Sequence, residues 1–167
     1  MSLRFGLLGL LSTRPMSGYE LARTFDEALS AVWSAGHSQI YPELARLEES
    51  GLIRVAETGP RGRKVYAVTA QGGREFRDWL LHTEPDRAIR NEPLLRTMFL
   101  SLVKPNEATE YLDEELQRER EVLTQLSGAA PDESIAPLSE LALEWSRRYA
   151  TAVSDWLQWE RRQVRRR

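Results

Sequence analysis

Gly51 narrows the folds open to this chain more than any other residue, because of what flanks it. Before it, Ile40, Leu44 and Leu47 recur at helical spacing and fall on one side of a helix drawn at about 100° per residue. Ser38, Pro42, Ala45, Arg46 and Glu49 fall on the opposite side. Gly51 stands where that helix must stop, in the position that takes the left-handed conformation, and Leu52 can close back over the last turn. After it, Leu52–Thr58 reads as a strand with broken alternation, and Lys64–Thr69 reads as a return strand. The turn between them is Gly59-Pro60-Arg61-Gly62-Arg63. An amphipathic helix, a glycine stop and a hairpin in so short a stretch must pack onto something apolar.

The preceding residues supply it. Leu3, Leu7, Leu10 and Leu11, with Phe5 and Leu8, predict a helix with almost no polar side, hence a buried one, ended by Pro15. Ser17-Gly18-Tyr19-Glu20 is a capping-box start, and Ala22, Phe25, Leu29 and Val32 form the apolar stripe of the helix that follows. A break at Ser34-Ala35-Gly36 separates it from the helix that ends at Gly51, with Pro42 expected near that helix's first turn. Beyond the hairpin, Thr69 caps a further helix carrying Phe76, Trp79 and Leu80. Helix, helix, helix, hairpin, helix is the order of a winged helix-turn-helix domain, placed over residues 1–82.

Residues 83–92 read as a polar linker. Residues 93–167 predict a helical domain: a short apolar helix from Leu94 to Leu100 opened by Pro93, then a helix from about Pro105 to Ser127 with Ala108, Leu112, Leu116, Leu123 and Leu126. The last helix carries Leu138, Ala142, Trp145, Tyr149, Ala152, Trp156 and Trp159 at three-four spacing, a seam that needs a partner surface. The fold class is therefore mainly α with a small β-hairpin.

Composition excludes several function classes. There is no cysteine among the 167 residues, which rules out disulfides and thiolate metal sites and suits a reducing cytoplasm. The apolar run Phe5–Leu11 is too short for a secretory signal and lacks a small-residue cleavage site, and no other run is long enough to span a membrane. His37 and His82 are too few and too far apart for a metal or catalytic site, and no nucleophile–base pair or glycine-rich phosphate loop is present. No cofactor, metal or enzymatic activity is expected. The net charge is −2, with ten Lys/Arg against nine Asp/Glu in residues 1–80, so any affinity for nucleic acid must come from local placement of cations.

Together, Ser17-Gly18-Tyr19-Glu20-Leu21, Gln39-Ile40-Tyr41-Pro42-Glu43-Leu44-Ala45-Arg46-Leu47-Glu48, Gly51-Leu52-Ile53, Gly62-Arg63-Lys64-Val65-Tyr66 and Thr69-Ala70-Gln71-Gly72 form an ordered series. This series resembles the PadR family of transcriptional regulators over residues 3–80. The second half, with Glu92-Pro93-Leu94-Leu95-Arg96 and two long helices, is similar to the longer members with a helical dimerisation and effector domain. The resemblance implies a homodimeric repressor that binds a palindromic operator and is released by a small molecule.

The residues themselves say how. The low, hydrogen-bonding side of the helix before Gly51 suits the DNA major groove. There Gln39 can contact adenine, Arg46 can reach guanine or phosphate, Ser38 and Tyr41 can donate to phosphate or a base edge, and Pro42 keeps the surface flat. Ser17 and Tyr19 at the capped helix start suit a phosphate. Arg61, Arg63 and Lys64 flank the hairpin turn and suit the adjacent backbone or minor groove. Trp145, Tyr149, Trp156 and Trp159 are open to two readings, a dimer seam or, with Trp33, Phe5 or Tyr111, the lining of a pocket for a flat aromatic or hydrophobic effector. Arg161, Arg162, Arg165, Arg166 and Arg167 read as a solvated helix end. A winged helix used for protein docking, without DNA, is the alternative, and the basic hairpin argues against it.

Overall fold

Leu7, Leu8 and Leu10 have no exposed surface at all, and they lie on the first helix, α1 (Ser2–Thr13). A helix apolar all round must be covered on every side, and the rest of the first unit is arranged to do so. The computed structural model describes residues 2–29, 33, 35–86 and 91–166, with the side chains of Ser2 and Arg61 outside that description. The chain divides into two units, Met1–Pro85 and Asp86–Arg167. In the first, α1 is covered by α2 (Gly18–Leu29), α3 (His37–Glu49), α4 (Ala70–His82) and a small sheet. Ile40, Leu44 and Leu47 of α3 and Leu21, Ala22 and Phe25 of α2 are buried, as their spacing requires. Phe5 stacks on Trp79 of α4 with ring centroids 4.7 Å apart. Val32 and Ser34 lie outside the described residues.

The sheet has three antiparallel strands in the order β1 (Met16–Ser17), β3 (Lys64–Val68), β2 (Ile53–Thr58). The hairpin was legible in the sequence; β1 was not. Two residues carry no periodicity, and β1 exists because Met16 and Ser17 lie opposite Tyr66 and Val65, about fifty residues away. The broken alternation of β2 has a physical cause as well: Val55 faces Tyr66 and Glu57 faces Val65, so Ala56 is the extra residue of a bulge.

The joint after α3 is closed by hydrogen bonds. Gly51 has φ of 70°, its N–H donates to the Glu48 carbonyl at 3.0 Å, and the Leu52 N–H donates to Leu47 at 2.9 Å, a Schellman motif. Pro42, however, is the sixth residue of α3 rather than a first-turn residue. Gln39 explains the early start: its side-chain carbonyl accepts the Gly36 N–H at 3.3 Å and begins the helix at His37. Pro42 therefore leaves the Ser38 carbonyl without its helical donor.

Thr69 ties the joint to α4. Its N–H donates to the Leu52 carbonyl (2.9 Å), and its hydroxyl donates to Gly51 (2.8 Å) and accepts from the Gly72 N–H (3.1 Å). The backbone approaches so closely that a Cβ on Gly72 would lie 2.1 Å from the Leu52 carbonyl oxygen. His82 closes α4 and, with it, the stretch 1–82 assigned to this domain.

The second unit holds α5 (Glu92–Thr97), α6 (Pro105–Gly128) and α7 (Ala136–Val164). Ala108, Leu112 and Leu116 of α6 meet Leu157 and Val164 of α7 in its core, with Leu100, Tyr111, Val153 and Trp156 packed against them. The inward side of α7 thus runs through Ala150, Ser154 and Leu157. The aromatic stripe lies mostly elsewhere: Trp145, Tyr149 and Trp159 are exposed. Small residues on the inner side let the two long helices approach closely, and no apolar periodicity announces them. Arg161, expected in a solvated tail, forms a two-pronged ion pair with Asp113 (2.5 and 2.9 Å) that joins α7 to α6. Arg147 donates to the Leu126 carbonyl at 2.9 Å and completes the end of α6. The segment expected as one helix from Leu94 to Leu100 is split into α5 and a 3-10 turn over Leu100–Leu102.

Replacing Gly72 by Ala should force α4 off the Leu52 carbonyl, at a cost of roughly 1–3 kcal/mol or more. The expected outcome is a clear fall in thermal midpoint without loss of helical content at low temperature. An unchanged midpoint would show that the joint yields freely.

Candidate nucleic-acid interface

The start of α2, the outer side of α3 and the hairpin turn are joined by a few side chains, and Glu20 is central among them. Its carboxylate accepts the Ser17 N–H at 2.8 Å and the Ser17 hydroxyl at 2.5 Å, and the Ser17 hydroxyl accepts the Glu20 N–H at 3.3 Å. This is the capping box that the sequence predicts. The same carboxylate accepts from Arg63 at 3.1 Å, which draws the wing toward α2. The Ser17 hydroxyl and N–H lower the Glu20 pKa from its ordinary 4.5 to about 2; burial opposes them, and the Arg63 guanidinium adds smaller lowering contributions.

The wing turn is a 3-10 turn over Pro60–Gly62, with Gly62 at φ of 76°, the left-handed conformation that suits glycine. The Gly59 N–H donates to the Arg63 carbonyl at 2.6 Å and closes the turn. Lys64 then reaches back to Glu48 of α3 at 3.2 Å. Arg46, on the outer side of α3, pairs with Glu43 at 2.8 Å. Tyr19 and Tyr41 are exposed. Gly18 lets α2 sit against α3, since a Cβ there would lie 2.9 Å from the Tyr41 ring.

The structure brings Ser17, Tyr19, Tyr41, Arg63 and Lys64 around one cleft of about 690 Å³. Ser38, Gln39, Pro42 and Arg46 are exposed along the outer side of α3. Two of these residues differ from their expected condition. Ser17 is buried and its hydroxyl is engaged by Glu20, so it is not a surface phosphate donor. Gln39 uses its carbonyl oxygen to cap α3, which leaves its side-chain N–H groups as the outward donors. The Arg61 side chain lies outside the described residues. Sequence reasoning missed the pairing of these cations with carboxylates. Glu43 stands three residues before Arg46, a pairing that helical spacing could have suggested. Glu20–Arg63 and Glu48–Lys64 bridge different elements, and no local signal foretells them.

The aromatic set divides. Trp33 belongs to the first unit, its side chain is exposed, and its backbone N–H donates to the Leu29 carbonyl at 2.7 Å. Phe5, a further candidate for a pocket, is committed to its stack on Trp79. In the second unit, Trp145 stacks near Tyr149 (6.2 Å) and Trp156 on Trp159 (5.1 Å). Two hydrogen bonds fasten α5 to α7: Asn91 donates to the Tyr149 hydroxyl at 2.6 Å, and the Trp156 indole donates to Thr97 at 3.3 Å. Trp156 and Tyr111 face inward against the core of this unit, and burial pushes the Tyr111 phenol up. Among the described residues no group of His, Asp and Glu could hold a metal ion, and no helix is long and apolar enough to cross a membrane.

The lowered Glu20 pKa carries a sign. A carboxylate that ionises more readily in the folded state stabilises it at pH above about 4.5, and that contribution is lost as the pH falls toward 2. The gap in thermal midpoint between the native chain and a Glu20→Gln variant should therefore shrink across that window. A gap independent of pH would show that the capping box does not depend on the charge.

Comparison with known proteins extends this geometry. Residues 7–78 match the model of the transcriptional regulator PadR-like family, and residues 89–165 match that of the virulence activator alpha C-terminal region. The chain is 36% identical over 131 residues to the negative transcriptional regulator PadR of Bacillus subtilis, an alignment covering 76% of this chain and 72% of that protein. Its fold is similar to crystal structures of B. subtilis PadR in complex with operator DNA (TM-score 0.85, 30% identity, 98% of this chain and 99% of that one). It is also similar to the same regulator in complex with p-coumaric acid (TM-score 0.81, 29% identity, 98% and 99%). These relatives are regulators rather than enzymes. With its winged helix-turn-helix and helical C-terminal part, the chain belongs to the PadR family of transcriptional regulators.

Proposed function

We propose that this chain is a cytoplasmic repressor that acts as a homodimer on a two-fold operator and is released by a small aromatic effector. The observation that carries the DNA reading is the outer side of α3. Its inner side is committed to the core through Ile40, Leu44 and Leu47, while Ser38, Gln39, Tyr41, Pro42 and Arg46 are exposed beside a cationic wing. Short side chains and a proline let such a surface enter the major groove, Gln39 and Arg46 offer donors to base edges, and Arg63 and Lys64 offer charge to the backbone. Tyr19 adds a hydroxyl at the start of α2. B. subtilis PadR solved with operator DNA supports the same reading by likeness.

Dimerisation is supported by the apolar surface that the second unit leaves uncovered. Leu95, Met98, Phe99 and Leu102 around α5, with Trp145 and Trp159 of α7, are exposed although the unit has its own core elsewhere. An apolar surface of that kind calls for a cover, and a second copy supplies one of matching character. A symmetric pair would set two copies of α3 about one DNA turn, roughly 34 Å, apart and so demand a two-fold operator. The likeness to B. subtilis PadR solved with p-coumaric acid makes a small aromatic acid the first effector class to test, with the α5–α7 aromatic residues as its candidate lining.

Arg46→Ala should cost roughly 1–3 kcal/mol and relax specificity at one operator position, if Arg46 reads a base. Arg63→Ala should weaken all sequences alike and reduce the salt slope by about one. Fluorescence anisotropy over a salt series distinguishes them, and the reverse pattern would exchange reader and anchor. Binding without sequence preference would end the regulator mechanism proposed here. Trp145→Asp should yield monomers in sedimentation velocity with helical content unchanged, and a persisting dimer would place the seam elsewhere.

A further inference from the structure

Arg46, Arg63 and Lys64, the wing and α3 cations described above, each hold a carboxylate of the same chain: Glu43, Glu20 and Glu48. In every pair the carboxylate is the less exposed partner. The side-chain exposures are 16% against 69% for Glu43 and Arg46, 33% against 57% for Glu20 and Arg63, and 34% against 48% for Glu48 and Lys64. The anions therefore lie beneath and the cations reach out. Glu20 is also fixed by both Ser17 hydrogen bonds and cannot swing away. We propose that Glu20, Glu43 and Glu48 are specificity-determining residues, which orient the DNA-contacting cations while cancelling their long-range pull on DNA of any sequence. This rests on the DNA reading given above.

The physics follows from distance. An isolated cation attracts a phosphate from as far as salt screening allows, about 10 Å at 0.1 M ionic strength. A cation with an anion about 3 Å behind it acts from afar as a dipole, whose field falls off much faster. At contact the cation is nearer the phosphate than the glutamate is, and its remaining N–H donors still point outward. Non-specific binding draws chiefly on the long-range attraction, whereas a matched operator recovers its affinity through contacts made at short range. The near balance of ten cations against nine anions in residues 1–80 fits a chain that does not rely on bulk positive charge.

The test uses the full chain and two labelled duplexes, one enriched by the native chain from a random-sequence pool and one of scrambled sequence and equal length. Glu43→Gln and Glu48→Gln, singly and together, are compared with Glu49→Gln, which removes the same charge from α3 at an exposed residue. Thermal melting of each variant establishes that it folds. Affinity for the scrambled duplex should rise several-fold for the paired glutamates and less for Glu49→Gln. The salt slope should steepen by up to about 0.9 per paired glutamate removed, and the ratio of enriched to scrambled affinity should fall. Unchanged or weaker scrambled binding with an unchanged slope overturns the proposal, as does an equal effect from Glu49→Gln. Should the native chain enrich no duplex, the DNA reading itself fails; enrichment with the wrong variant behaviour defeats the proposal alone.

Discussion

Burial of α1 is the constraint on which the first unit depends. Its leucines point in all directions, so no single layer can cover them, and α2, α3, α4 and β3 each take a side. Removing one such leucine would cost roughly 2–5 kcal/mol, a large part of the stability of a small domain. The outer side of α3 is presented because its inner side is spent on this core. Ile40, Leu44 and Leu47 leave Ser38, Pro42 and Arg46 nowhere to point but outward.

Hydrogen bonds then convert packed helices into a surface with defined geometry. The Schellman motif at Gly51 sets where α3 ends, Thr69 joins that end to α4, and Gly72 permits the contact by having no side chain. Glu20 does the equivalent at the other edge, where one carboxylate caps α2 and holds the wing. Exposed ion pairs add little to stability. Those between Glu20 and Arg63 and between Glu48 and Lys64 matter instead for where the cations stand.

The second unit shows a division of labour along one helix. Small and aliphatic residues of α7 face α6, and aromatic residues around the helix hold α5 or remain uncovered. α7 serves its own unit with one stripe and leaves another uncovered; under the proposed homodimer a second copy would cover it, which would link dimerisation to the position of α5. An effector lodged among those aromatic residues would act on that link.

The sequence by itself determined the order and type of the long elements, the glycine stop at Gly51, the capping box at Ser17–Glu20 and the basic hairpin. These rest on periodicity, capping chemistry and backbone freedom, which act over a few residues and can be read locally. Only the tertiary structure decided that Met16 and Ser17 form a strand, that Ala150, Ser154 and Leu157 rather than Trp145 and Trp159 form the inner side of α7, and that Arg161 is an internal tie. It alone decided, too, that Glu20 and Glu48 reach the wing cations. Each of these joins residues from different elements, and such a pairing exists only once the chain has closed on itself. Pro42 lies between the two cases. Its preference for a helix start is local, but the Gln39 cap placed that start five residues earlier and left the proline inside the helix.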